Sequence, residues 1–300
     1  MMNQFNIKGV ISALPTPFLG SGLNNKVDFE SLTRLVEFQL KNGINGFVVN
    51  GTTAESPTLS WSEVEEIYKR VQEISEAKVP IILGTGSNST EHTIETTKKA
   101  EGLGAAAALV VVPYYNKPPQ RGLVAHFSAV ANSTKLPIIL YNVPGRTITA
   151  MSLETIATLS RLENIFSVKE ASGDIAFDEQ LKKQLASDFV MLSGDDPTYI
   201  PFLKLGGSGI ISVMSNAITG ACVRWTNLAR QGGWAQAEAD FAKHKELISL
   251  MYVEANPIPL KWMLYKMGLF KSPEMRLPLV SLDSKYFERI SAELKKLEIT

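Results

Sequence analysis

The sequence predicts an α/β fold, a closed (β/α)8 TIM barrel, followed by a C-terminal helical extension. Three observations carry this prediction. Short runs rich in β-branched residues alternate with amphipathic stretches. The runs lack in/out alternation, as strands buried on both faces of a parallel sheet do. Eight runs follow one another at intervals of about 28 residues, the length of one strand–loop–helix unit in such a barrel. A doubly wound open sheet is the alternative. It has fewer strands and calls for a dinucleotide fingerprint that the sequence lacks.

Composition bounds the function classes. The chain has 300 residues, with 30 Lys+Arg against 30 Asp+Glu, so no basic excess exists to hold a nucleic-acid backbone. Hydrophobic residues at 45% and charged residues at 20% place it among globular proteins. The single cysteine, Cys222, excludes an internal disulfide and fits a reducing compartment. The start, MMNQFNIKGV, shows no signal-peptide pattern, and the longest apolar run, from Ala105, is too short to span a bilayer. The expectation is a cytoplasmic protein with no membrane and no nucleic-acid partner.

The strand runs begin near Val10, Gly46, Pro80, Ala107, Pro137, Ile165, Phe189 and Gly209. Helical patterns fall between them at 29–42, 62–76, 90–103, 120–133, 152–161, 174–186, 196–205 and 216–231. Ser62 with Glu65 offers a capping box, and Asp174 and Asp196 offer helix N-termini. These elements make up a barrel over residues 1–230. Helical patterns at 234–252, 257–268 and 283–297, broken at NPIPL and LPL, form the extension over residues 231–300. No Gly-, Ser- or Pro-rich linker separates the two, so the extension reads as an appendage to the barrel.

In a barrel, chemistry gathers where strands end. Lys169 closes the apolar run IFSV, where an ammonium is poorly hydrated. Desolvation favours the free amine, the nucleophile for a Schiff base with a carbonyl substrate. The competing reading is a strand-end pair with Glu170, awkward because adjacent strand residues point to opposite faces. Tyr141 closes the preceding run, as a core ring or as a proton relay beside the lysine. Thr52 and Thr53 follow the second run as loop caps or as site hydroxyls. Arg146 follows a Pro-Gly turn, as a surface arginine or as a fork for a carboxylate. Gly84-x-Gly86 reads as loop geometry. Asp195 and Asp196 would repel a phosphate from the helix that follows them. His92, His126 and His244 are scattered along helices and do not form a metal set, so no metal is expected.

At GTTAES (51–56), PYYNKPPQ (113–120), YNVPGRT (141–147), VKEASGD (168–174) and SGDD (193–196) the chain resembles the dihydrodipicolinate synthase family. This is a branch of the pyruvate-dependent class I aldolases that include N-acetylneuraminate lyase. The resemblance covers about residue 7 to about residue 295. It implies a lyase that condenses pyruvate with L-aspartate 4-semialdehyde in lysine and diaminopimelate biosynthesis, with no cofactor. It further implies that Lys169 forms the Schiff base and Tyr141 shuttles protons, with Thr52 linking Tyr141 to a Tyr115 supplied by a neighbouring subunit. Thr53 would hold the pyruvate carboxylate and Arg146 the carboxylate of the aldehyde, while the backbone carbonyl of Ile211 lines the site. A shared tyrosine implies at least a homodimer, and the family is commonly a homotetramer.

Where lysine-inhibited members of the family bind the inhibitor through histidines and an acidic residue, this chain has Trp61, Val64 and His92, while Ser56, Asn88 and Tyr114 are kept. Weak or absent feedback by lysine is the expectation. Two other readings remain open at the level of sequence: a sibling aldolase for a pyruvate-derived sugar acid, and a non-catalytic barrel that binds pyruvate as a sensor.

Overall fold

The computed structural model describes residues 7–20 and 25–299. Strand β1 (Gly9–Ala13) is followed by an antiparallel ribbon of β2 (Phe18–Leu19) and β3 (Lys26–Val27), then α1 (Phe29–Lys41) and β4 (Gly46–Val49). Next come α2 (Trp61–Ser75), β5 (Ile81–Gly84), α3 (Thr90–Gly102), β6 (Ala107–Val111), α4 (Gln120–Asn132) and β7 (Ile138–Asn142). The one-turn α5 (Pro144–Thr147) and α6 (Leu153–Leu159) precede β8 (Ile165–Glu170), α7 (Ile175–Gln184) and β9 (Val190–Ser193). Helix α8 (Tyr199–Lys204), β10 (Gly209–Ser212) and α9 (Ser215–Arg230) complete the alternation. Helices α10 (Trp234–Leu250), α11 (Ile258–Lys266) and α12 (Phe287–Lys296) follow.

The strand order is that of a closed parallel barrel, β1-β10-β9-β8-β7-β6-β5-β4. Its eight strands are the eight apolar runs of the sequence. Their residues are buried almost without interruption, which is why no alternation was visible. The β2–β3 ribbon was not foreseen, because two-residue strands carry no period.

The chain forms two compact units. One comprises residues 80–211 with the segment up to Gly9. Within it β6, β7, β8 and β9 pair in parallel register, with Val111 opposite Tyr141, Tyr141 opposite Lys169, and Lys169 opposite Leu192. Gly86 belongs to this packing. A β-carbon there would lie 2.3 Å from the Val111 amide nitrogen, so the GxG segment serves a close backbone approach.

The other unit comprises residues 10–79 and 212–300. A buried polar network ties β1 to α1 and α9. Asn216 Oδ1 accepts from Ser12 Oγ (3.0 Å) and Gln39 Nε2 (2.9 Å), and its Nδ2 donates to the Ala13 carbonyl (2.9 Å). Residues of the expected extension pack within this unit. The Trp225 ring on α9 meets Phe241 of α10 edge-on at 5.0 Å, and Trp225 Nε1 donates to Asp240 (2.8 Å).

Two helix starts differ from the sequence reading. The capping box on α2 is formed by Ser60 and Glu63, not by Ser62 and Glu65. The helix begins at Trp61, so Ser60 is the extended residue whose hydroxyl reaches the third amide, while Ser62 already lies in the first turn. Helix α8 begins at Tyr199, and the carboxylate that accepts from the Thr198 amide (3.2 Å) is that of Asp195, not Asp196. Asp174 caps α7 as expected, accepting from the amides of Ala176 and Phe177. Among the described residues no helix is long and apolar enough to cross a membrane.

Candidate active site

The register of β7 and β8 builds the centre of the site. Tyr141 lies directly opposite Lys169, and Asn142 opposite Glu170. Paired residues share a face and successive residues alternate, so Tyr141 and Lys169 project together and Asn142 with Glu170 project the other way. Lys169 and Tyr141 are both buried, and the Lys169 amine stands 4.1 Å from the centroid of the Tyr141 ring. Lys169 makes no ion pair among the described residues.

The competing Lys169–Glu170 pairing is not formed, as the alternation of strand residues leads one to expect. Glu170 Oε2 accepts from Asn142 Nδ2 (2.7 Å) and Oε1 accepts from the Ser172 amide (2.7 Å). Burial pushes the Glu170 carboxyl up from the usual carboxylate range, against the pull of these hydrogen bonds. Asn142 Oδ1 in turn accepts from the Met151 amide (2.9 Å). Behind this strand end lies Asp178 of α7, whose carboxyl is raised to about 7, first by burial and then by the charges of Glu170, Asp174 and Asp195.

Gly194, directly after β9, completes the wall. A β-carbon at this position would lie 2.7 Å from Lys169 Cε, 3.0 Å from its Cγ and 2.6 Å from Ala171 Cβ. Only a glycine leaves room for the lysine stem. Within SGDD the sequence assigns this glycine no role of its own, since its part depends on Lys169 standing beside it in space.

The segment after β4 makes two short 3-10 turns, Thr52–Ala54 and Ser56–Thr58, hinged at Glu55 in the left-handed region (φ 58°). Thr53 is buried and its hydroxyl accepts from Asn256 Nδ2 (3.0 Å). The Ala54 carbonyl accepts from Thr16 Oγ1 (2.9 Å). Glu55 is buried in an ion pair with Lys261 of α11 (2.5 Å), a lysine the sequence reading did not single out. Its signal was a lone charge inside the apolar helical run IPLKWML.

The remaining expected residues are placed individually. Ile211 is buried in β10. Arg146 is exposed on the one-turn helix α5. Tyr115 follows β6 in the left-handed region (φ 74°), with its residue 86% exposed. Among the described residues no group of three or more His, Cys, Asp or Glu side chains is arranged to hold a metal ion.

Comparison with known proteins agrees with this arrangement. The model of the dihydrodipicolinate synthetase family matches residues 6–297. A 4-hydroxy-tetrahydrodipicolinate synthase of Bdellovibrio bacteriovorus is 51% identical over 98% of this chain and 99% of its own. The dihydrodipicolinate synthase of Thermotoga maritima superposes with a TM-score of 0.94 at 41% identity, covering 99% of this chain and 100% of its own. The chloride-inhibited dihydrodipicolinate synthase of Acinetobacter baumannii, complexed with pyruvate, gives the same TM-score of 0.94 at 41% identity, over 98% of this chain and 100% of its own. With matches that run almost end to end and a buried lysine beside a tyrosine where two strands end, this chain belongs to the dihydrodipicolinate synthetase family.

Proposed function

We infer that the chain is a lyase that condenses pyruvate with L-aspartate 4-semialdehyde to form 4-hydroxy-tetrahydrodipicolinate in lysine and diaminopimelate biosynthesis. The observation that carries this reading is Lys169: a buried amine with no carboxylate partner among the described residues, held against the ring of Tyr141. A structural lysine in such a place would be paired, as Lys261 is with Glu55.

The chemistry follows from the side chains. The Lys169 amine adds to the ketone of pyruvate, and the carbinolamine loses water to give an iminium. The iminium draws electrons from the methyl group, which gives up a proton and becomes an enamine carbon. That carbon attacks the aldehyde, forming the new C–C bond, and the aldehyde oxygen takes a proton. The amino group of the second substrate then closes onto the iminium carbon and displaces Lys169 as the free amine. Covalent catalysis thus divides one difficult condensation into easier steps.

Tyr141 supplies and removes protons beside Lys169, and Thr52 connects it to Tyr115 of a neighbouring subunit. The exposure of Tyr115 in the single chain, 86%, supports that last role. Thr53 and the Ile211 carbonyl hold pyruvate, and the Arg146 fork binds the carboxylate of the aldehyde substrate. The working form is a homodimer at least and a homotetramer by analogy with the family, in the cytoplasm.

Borohydride reduction in the presence of pyruvate tests the reading. It should leave a reduced pyruvate adduct on Lys169 alone, located by peptide mass mapping, in a preparation that turns over aspartate semialdehyde. Trapping without turnover would favour a pyruvate sensor. Faster turnover of a sugar acid would favour a sibling aldolase.

A further inference from the structure

We propose that Asn256, in the segment leading into α11, is a positioning residue that sets the Thr53 hydroxyl for the keto-acid carboxylate. This deepens the proposed function and rests on Thr53 serving as a pyruvate-binding group.

A threonine hydroxyl has one proton to give and two lone pairs to receive. Asn256 Nδ2 donates to Thr53 Oγ1 at 3.0 Å. With a lone pair engaged by that amide, the hydroxyl proton is turned elsewhere and is free to donate to an anion. An unconstrained threonine would return its proton to a backbone carbonyl of its own turn, the habit of Ser and Thr in loops. Both residues are buried, so water does not compete for the interaction.

The loop is held so that this hydrogen bond keeps its length. One residue on from Thr53, the Ala54 carbonyl is tied to Thr16. The next residue, Glu55, stands in the left-handed region and is fixed at both carboxylate oxygens. Oε1 accepts from Lys261 Nζ (2.5 Å) and Oε2 from the Arg276 amide (2.9 Å). Lys261 also donates to the Glu274 carbonyl (2.8 Å), and its amine lies 4.1 Å from the Phe18 ring centroid. Asn256, Lys261 and Arg276 of the C-terminal segment therefore grip this turn at two points, Thr53 and Glu55. One grip sets the backbone of the turn and the other the hydroxyl.

The test is the pyruvate dependence of turnover and of borohydride trapping in Asn256→Ala and Asn256→Asp, with wild type as reference. In Asn256→Ala the pyruvate KM and the pyruvate concentration for half-maximal trapping should rise about tenfold, the worth of one buried hydrogen bond. The kcat and the aldehyde KM should stay within about twofold. Asn256→Asp keeps the size but presents an acceptor to Thr53, drawing its proton away from the substrate. It should bind pyruvate at least as poorly as Asn256→Ala.

In a double-mutant cycle, Thr53→Val should add little to Asn256→Ala, because both remove the same donation. A residue that only supports the fold would lower the melting temperature or the active fraction and leave the pyruvate KM alone. That outcome in the folded variants overturns the proposal, as does wild-type pyruvate affinity in Asn256→Asp. If wild type itself is not trapped by pyruvate, the proposed function falls first. If it is trapped and the Asn256 variants match it, only this inference falls.

Discussion

Gly194 lies against Lys169 so closely that a single added methyl group would overlap the lysine stem, 2.7 Å from Cε. The amine is thus aimed by a missing side chain just past the end of β9 as much as by its own stem. Gly194→Ala should therefore shift the lysine and lower kcat by about 100-fold, since displacement of a reacting group by an ångström is costly. Burst trapping with pyruvate and borohydride should slow in parallel. Wild-type trapping rates in this variant would show that the lysine has room to spare.

Arg146 should matter for the second substrate only. It is exposed on α5, whereas Lys169 and Tyr141 are buried. Arg146→Ala should raise the KM for aspartate semialdehyde by about 10- to 100-fold, the loss of hydrogen bonds to a charged group. Formation of the pyruvate adduct should be unchanged. Loss of adduct formation would move the arginine into the first half-reaction.

Asp178 should make stability fall as pH rises from about 4 to about 7. Its folded-state carboxyl is raised to about 7 from an ordinary 3.8. In that window the unfolded chain has released the proton and the folded chain retains it, so each step up in pH favours unfolding. Above 7 both states are ionised and the penalty is constant. Asp178→Asn removes the charge that burial opposes. Its melting temperature should exceed that of wild type by a few degrees at pH 8 and match it near pH 4. Equal differences at both pH values would contradict this.

His126 works in the opposite sense. It is buried on α4, its Nδ1 2.9 Å from Thr90 Oγ1, and burial lowers it to about 4. The unfolded chain takes up a proton between about 6.5 and 4 that the folded chain refuses, so stability should fall as pH drops through that range. A His126→Gln variant that remains folded should show a flatter acid limb in its melting profile.

L-lysine should inhibit weakly or not at all. Val64 is buried on α2, Trp61 opens that helix, and His92 lies exposed on α3 within 3.8 Å of Glu95. By the resemblance to lysine-sensitive members, these residues would leave the polar set that holds the inhibitor incomplete. Tenfold weaker binding needs only about 1.4 kcal/mol, within reach of a few lost contacts. Half-inhibition well below about 1 mM in a lysine titration would defeat the expectation.

The eight barrel strands could be read from the sequence because strands buried on both faces leave unbroken apolar runs. Lys169 was legible for the same reason, as a charge closing one of those runs. Lys261 is the same signal in a helix, yet a lysine between helical apolar residues ordinarily reaches solvent, so the pattern gave it no weight. The capping serine of α2 was missed by two positions because Ser60 and Ser62 are each followed three residues later by a glutamate. Gly194 and Asn256 were invisible for a different reason. Their parts depend on what stands beside them in space, Lys169 for one and Thr53 for the other, and no local spacing encodes that.

The division of the chain also governs what light can report. All four tryptophans, Trp61, Trp225, Trp234 and Trp262, fall within residues 10–79 and 212–300. Intrinsic indole emission therefore originates wholly outside the unit that contains Lys169 and Tyr141. A melt followed by that emission would record the loosening of α2, α9, α10 and α11, and a labelled residue on β7 or β8 would be required to watch the catalytic strands come apart.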